Sequence, residues 1–307
     1  MFQSVMRKPV LSFVPGLICL VLLLSSCSSS KSVSSTPTTI PSEQRYRDAK
    51  ELIARKKYDN AILRLEPMMF STRATELEDD VLHSLGDAYF FSKQYLLSAD
   101  IYRRLLQQTP NSPYAKDAQY QLARSYEKLS PMFELDQEYT FKAITEFQNY
   151  LDQYPSEESA QVASDVETYR ELLKVNPSNA SYKAKYEAAM AELSHQSPAR
   201  YSSTAIPVLR EKLAHNRFSI AQQYAKLKKY RSAVIFYDQV IGQFADTKWL
   251  EPAWIGKIDM AVKRHKWFEA RQAIEQFQQQ FPDKSKKVEG AYKRVLENFS
   301  NTRNSSK

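Results

Sequence analysis

The strongest constraint on what this chain can fold into is a recurrence. Leu85-Gly86, Tyr89, Tyr95, Ser98, Tyr102, Leu105 and Pro110 mark two apolar-faced segments parted by a short polar turn. The frame returns in Ala123, Tyr126, Ala143, Phe147 and Pro155, with an insertion at about 128–139 between its halves. It returns again in Ala221, Tyr224, Tyr230, Ala233 and Tyr237, and once more in Trp254, Trp267, Ala270, Phe277 and Pro282. A weaker first copy, Ala49, Tyr58, Ala61 and Leu65, lacks the closing proline at the expected place. Small residues at the Gly86 and Ser98 positions let two helices approach, aromatics fill the space between hairpins, and proline ends the second helix. One helical hairpin cannot bury its own apolar face, and roughly three must stack before a continuous core exists. The expected fold is therefore all-α, a solenoid of about five helical hairpins. Only five glycines occur in the chain, which argues against a turn-rich β fold and against phosphate-cradling loops.

The spacing is that of the tetratricopeptide repeat, about 34 residues per hairpin. Repeats one to three are expected over 43–160 and repeats four and five over 206–300, with a tail at 301–307. Across 161–205 the frame is lost. Residues 182–193 are rich in Ala, Glu, Lys and Tyr and should be helical, whereas Asn176-Pro177-Ser178-Asn179 and 194–203 read as breaks. That stretch is either an extra helical arm or a lengthened connecting helix.

The N-terminus is read separately from the fold. Arg7 and Lys8 precede an uncharged apolar run, 10–24, that stops at small polar residues, the layout of a secretory signal over 1–26. A membrane-spanning helix wants ~20 apolar residues, and this run is shorter and is interrupted by Pro15 and Gly16. Leu24-Ser25-Ser26-Cys27 resembles the lipobox of bacterial lipoproteins, which implies cleavage before Cys27 and its acylation by chains such as palmitate. Cys19 would then be lost, leaving Cys27 as an anchor and no intramolecular disulfide. Several acyl chains hold a protein firmly on a membrane without crossing it. Ser28 after the acceptor, rather than Asp, implies by the same resemblance export to the outer membrane. The remainder of 27–42 has no periodicity and should be a flexible tether reaching ~20 Å.

The net charge is +8, with Arg7 and Lys8 in the leader. The surplus would suit nucleic acid, anionic lipid or an acidic partner, and export sets nucleic acid aside. Basic residues gather at the turns within hairpins: Arg55-Lys56-Lys57, Lys226-Lys228-Lys229 and Lys263-Arg264-Lys266. They predict either a positive stripe along one solenoid edge or ordinary solvated turns. The sequence has no HExxH, GxSxG, phosphate-loop GK[ST] or CxxC. His83, His195, His215 and His265 fall in different segments, so no metal-ligand spacing is present. Glu158-Ser159 echoes the catalytic pair of lytic transglycosylases, but acids are expected at a helix start. No enzyme, cofactor or metal is expected.

More specific residues lie within the repeats. Ser112-Pro113-Tyr114-Ala115-Lys116-Asp117-Ala118, then Asp136-Gln137-Glu138-Tyr139-Thr140, then Ala143-Ile144, Phe147 and Tyr154-Pro155 resemble the middle of the BamD family. The stretch Arg210-Glu211-Lys212-Leu213-Ala214 followed by Ala221, Tyr224, Tyr230 and Ala233 is similar to that family's fourth repeat. Arg217 stands where the family often has glutamate, and 169–201 is longer than its usual connection. The resemblance implies a periplasm-facing lipoprotein of the β-barrel assembly machine. Its partners would be the POTRA domains of a BamA-like barrel protein and unfolded outer-membrane proteins. A different envelope adaptor, coordinating cell-wall or other periplasmic machinery, is the alternative. The resemblance also marks the inner groove of the first three repeats as the place where a client's final strand is received. On the first helix of each hairpin, positions i, i+4 and i+7 share a face. They give Tyr46, Lys50 and Ile53; His83, Asp87 and Phe90; Tyr120, Arg124 and Glu127. That face is either a peptide site, centred on Tyr46, Lys50, Ile53, Asp87, Phe90, Tyr120 and Arg124, or an ordinary solvated surface. In the first case Lys50 or Arg124 would pair with a terminal carboxylate.

Overall fold

The computed structural model describes residues 41–154, 158–194 and 198–305. The leader, Cys27 and nearly all of the tether lie outside those residues, as do His195 and the side chains of Glu158 and Ser159. Every regular element among them is helical. Five hairpins follow the repeat frame: α1 (Ser42–Ala54) with α2 (Tyr58–Ser71), α3 (Glu78–Phe91) with α4 (Tyr95–Gln108), and α5 (Ala115–Leu129) with α6 (Glu138–Gln153) form the first three. After a further pair, α7 (Glu158–Val175) and α8 (Ala180–Ser194), come α9 (Pro198–Lys226) with α10 (Tyr230–Gln243) and α11 (Leu250–Lys263) with α12 (Trp267–Gln280). A 3-10 turn (Pro282–Val288) leads into the closing helix α13 (Glu289–Ser305). No described helix is long and apolar enough to cross a membrane.

Close helix approach follows from the small residues. A β-carbon on Gly86 would lie 2.7 Å from the ring of Tyr102, and one on Gly256 would collide with the ring of Tyr237. The Ser98 hydroxyl donates to the Gly86 carbonyl at 3.1 Å and meets Ser125 of the next hairpin at 3.1 Å. Tyr102, Tyr126, Phe147 and Tyr150 are fully buried, each such side chain contributing about 1.5–3 kcal/mol of burial. Four of the five hairpins turn by one device. Lys56, Lys93, Lys228 and His265 sit at φ of 57°, 65°, 59° and 55°. In each case the next N–H bonds the carbonyl five residues back, as in Lys57 to Leu52 and Gln94 to Tyr89. This is the Schellman closure, in which glycine is the favoured occupant of the left-handed position. The missing proline of the first repeat is replaced by local bonds. Thr72 donates to the Met68 carbonyl at 2.8 Å, and Glu78 accepts from the N–H of Ala74, which is itself at φ 60°.

The third hairpin instead closes through a loop at 130–137, locked by the Asp136–Thr140 segment. Gln137 is buried, its amide N–H donating to the carbonyls of Met132 and Leu135 at 2.8 Å each. Thr140 donates back to Gln137 Oε1 at 2.8 Å and lies 2.6 Å from the Ser130 hydroxyl. The loop leans on the middle of α9: Lys212 donates to Ser130 at 2.8 Å and Asn216 to the Phe133 carbonyl at 2.7 Å.

Helix α9, with 29 residues, spans about 43 Å at 1.5 Å per residue and serves two stacks. Ala205 and Leu209 belong to the core of the first three hairpins, whereas Phe218 and Ala221 pack with α10 and α11. The 205/206 boundary expected from the sequence therefore falls inside one continuous helix. The tail expected from 301 likewise overlaps α13, which continues to Ser305. Helices α7 and α8 pack on each other and on no other described helix to a comparable extent, while α6 packs directly on α9.

The same helix meets two aromatic rings at the junction of the stacks. His215 is sandwiched between Phe133 of the third hairpin's loop, at 3.4 Å, and Trp249 of the α10–α11 connection, at 4.1 Å. Lys226 lies eleven residues beyond His215, about 16 Å along the helix.

Candidate functional site

The first helices α1, α3 and α5 present their inner faces side by side, and the repeat period decides which residues meet. Tyr46, Asp80 and Tyr114 occupy positions one 34-residue repeat apart, as do His83 and Asp117. Asp80 accepts from Tyr114 at 2.6 Å and from Tyr46 at 3.5 Å, and Tyr46 also meets Ser84 at 3.0 Å. Asp79 accepts from Ser112 at 2.7 Å. His83 Nε2 lies 2.8 Å from Asp117 Oδ2, and its Nδ1 is 3.6 Å from Asp87 Oδ2. Asp87 accepts from Tyr102 at 2.7 Å. The imidazole stacks on Tyr114 at 4.4 Å.

A second cluster lies on α5 under the start of α9. Arg124 sits 4.1 Å from the Tyr201 ring centroid and 3.4 Å from Glu127. Tyr201 donates to both Glu127 oxygens, at 2.8 and 2.9 Å. Tyr120 packs among Phe147, Tyr150 and Tyr201.

Of the residues expected from the sequence, Lys50 and Asp87 therefore lie near His83, with Lys50 exposed, while Tyr46 joins Asp80 and Ser84. Tyr120 and Arg124 form the second group. Ile53 packs against the margin of the core, and Phe90 packs on Phe91 and Tyr95 beside the hairpin turn. Arg124 is less available to a ligand than expected, because Glu127 and Tyr201 already engage it. Asp80, Tyr114, Asp117 and Tyr201 were not singled out for the site. The first three were within reach of the sequence, since each stands one repeat from an inner-face residue. Tyr201 lies where the frame is lost and had no such signal.

Electrostatically, this wall couples carboxylates to neutral hydroxyl donors. Burial raises the Tyr46 and Tyr120 phenols above their ordinary value, and the hydrogen bond to Asp80 raises Tyr114. Burial, reinforced by Glu127, pushes Tyr201 up to about 12. Burial also raises the Asp87 carboxyl, outweighing His83 and Tyr102. Potential metal-ligating atoms of His83, Asp87 and Asp117 lie within 4.8 Å of one another. Comparing the histidines only with one another hides this grouping, because its other two members are aspartates. Both nitrogens of His83 already face a carboxylate, so the geometry is that of a carboxylate–imidazole–carboxylate relay.

A separate cavity of about 460 Å³ opens at the junction of the stacks. Phe133, Lys212, His215 and Trp249 line it, with Met132 protruding at 73% exposure.

Comparison with known proteins places a repeat at the third hairpin. The tetratricopeptide repeat family matches residues 117–156, which take in most of α5, the locked loop and α6. No curated protein sequence matches the chain. Among solved structures it is similar to the TPR2AB domain of yeast Sti1 in a pHSP90 complex, with 12% identity and a TM-score of 0.31 over 83% of this chain and 98% of that one. It is also similar to a tetratricopeptide repeat protein from Parabacteroides merdae, with 12% identity and a TM-score of 0.32 over the same shares. The P58(IPK) TPR domain shows 15% identity and a TM-score of 0.31 over 83% of this chain and 66% of that one.

Proposed function

We propose that this chain is a lipid-anchored scaffold of the outer membrane, facing the periplasm, and a subunit of the β-barrel assembly machine. It receives unfolded barrel proteins along the inner face of its first three hairpins and docks on the POTRA domains of a BamA-like barrel protein. The observation that carries the reading is the inner face itself: a half-open wall of tyrosines and carboxylates with exposed Lys50 beside it. Support also comes from the Asp136–Thr140 segment, which carries part of the family resemblance, because its Gln137 and Thr140 interlock with the loop that rests on α9. Cys27 supplies the anchor in this reading.

A client's final strand alternates apolar and polar residues and ends in a carboxylate. Tyr46 offers an aromatic surface and Lys50 a charge-assisted partner for that terminus. The test titrates a labelled C-terminal peptide of a barrel protein against wild type and Lys50→Ala, with an amidated peptide as control. Losing the contact should weaken binding about five- to a hundredfold. Equal dissociation constants for the acid and amide peptides, in both proteins, would refute the carboxylate contact. Failure of the acid peptide to bind wild type at all, with cell-wall synthases recovered by cross-linking from envelopes, would favour the adaptor alternative.

A further inference from the structure

We propose that His83 is a proton-operated staple between the second and third hairpins, tight when its imidazole is protonated and weakened when it is neutral. The geometry is specific. The ring stands on α3, 14% exposed, with Asp117 of α5 at one nitrogen and Asp87 of α3 at the other. A neutral imidazole has one N–H, so its second nitrogen presents a lone pair to a carboxylate, whereas an imidazolium donates on both sides. The other groups facing it are Lys50 from α1, Tyr102 from α4, and Tyr114, whose hydroxyl is committed to Asp80. Burial opposes the charged ring and Lys50 repels it. The hydrogen bond to Asp117 and the charges of Asp87 and Asp117 outweigh both, so its pKa is raised above 6.5. The neighbouring ties between these hairpins, Ser112 to Asp79 and Tyr114 to Asp80, use hydroxyl donors that keep their protons throughout this range.

The sign follows from the raised pKa. The staple contributes its full stability below pH 6.5, and that contribution is lost as pH climbs through the higher folded-state value. Because His83 stands on the inner face, its weakening eases the tie that holds α3 to α5. This consequence for binding rests on that face being the binding surface; the staple itself does not.

The experiment follows the histidine Cε1–H signals of the whole mature chain by NMR across pH 5 to 9, with His83 assigned by comparison with His83→Gln. The expected midpoint for His83 lies above 6.5 and above that of His215, which burial lowers. In Asp117→Asn it should fall. The difference in melting temperature between wild type and His83→Gln should shrink as pH rises past the midpoint. A midpoint at or below 6.5, or one unmoved by Asp117→Asn, overturns the staple. A blocked, uncharged peptide of alternating tyrosine and threonine then reads the groove. It should bind wild type on the order of fivefold more tightly below the midpoint than above it, and His83→Gln without pH dependence. Equal pH dependence in both proteins overturns the control of the groove by His83. A shifted His83 with no peptide binding at any pH sustains the staple and sinks the binding reading.

Discussion

Single residues at the hairpin turns carry a measurable cost. A non-glycine residue in the left-handed region is disfavoured by about 1–2 kcal/mol, and Lys93 and Lys228 both sit there, exposed. Lys93→Gly and Lys228→Gly should each stabilise the chain by about 0.5–1 kcal/mol, a rise of roughly 1–4 °C in melting temperature. The same change one residue later, at Gln94 with φ −87°, should lower it. Calorimetry of the three variants checks the pattern, and equal shifts at positions 93 and 94 would contradict it. Gly86 is the opposite case. Alanine there improves helix propensity by ~1 kcal/mol but drives a methyl into the ring of Tyr102, which is fully buried and bonded to Asp87. Overpacking costs typically 1–3 kcal/mol, so Gly86→Ala should be net destabilising in a denaturant titration. An increase in the unfolding midpoint would show that the ring yields freely.

Among the elements, the arm and the long helix separate what the repeat frame dictates from what it leaves open. Hairpin α7–α8 packs chiefly on itself, so replacing 158–194 with a short flexible linker should leave the melting temperature within about 3 °C, the equivalent of ~1 kcal/mol. Extending the deletion to 203 removes Tyr201, and with it the cover over Arg124, Glu127 and Tyr120. That longer deletion should fall much further, and Tyr201→Ala alone should cost about 2–4 kcal/mol. If the two deletions melt together, α9 is not the element that joins the stacks. The five hairpins were legible because each needs small residues and aromatics at fixed intervals. The inner-face pairs were half legible, because Tyr46, Asp80 and Tyr114 repeat with the same period that stacks the helices. The double use of α9 was hidden: its first half carries no repeat residues, and Ser202 and Ser203 read as part of a break although the helix runs through them. The burial of Gln137 was likewise invisible, since a glutamine in an insertion reads as solvated until Met132 and Leu135 fold over it.

Taken whole, the molecule is a stack of three hairpins and a stack of two, joined by one helix that belongs to both cores. The inner face of the first stack holds the ladder of tyrosines, aspartates and His83, whereas its outer helices expose Leu63 and Phe70 on α2. If clients bind the inner face, as proposed, the two faces should behave differently. The most direct measurement places a photo-reactive amino acid at Lys50 or, in a separate protein, at Leu63, and irradiates intact envelopes. Adducts with unfolded barrel proteins from position 50, and few or none from position 63, are the predicted result. Equal capture from both positions, or capture from position 63 alone, would contradict it.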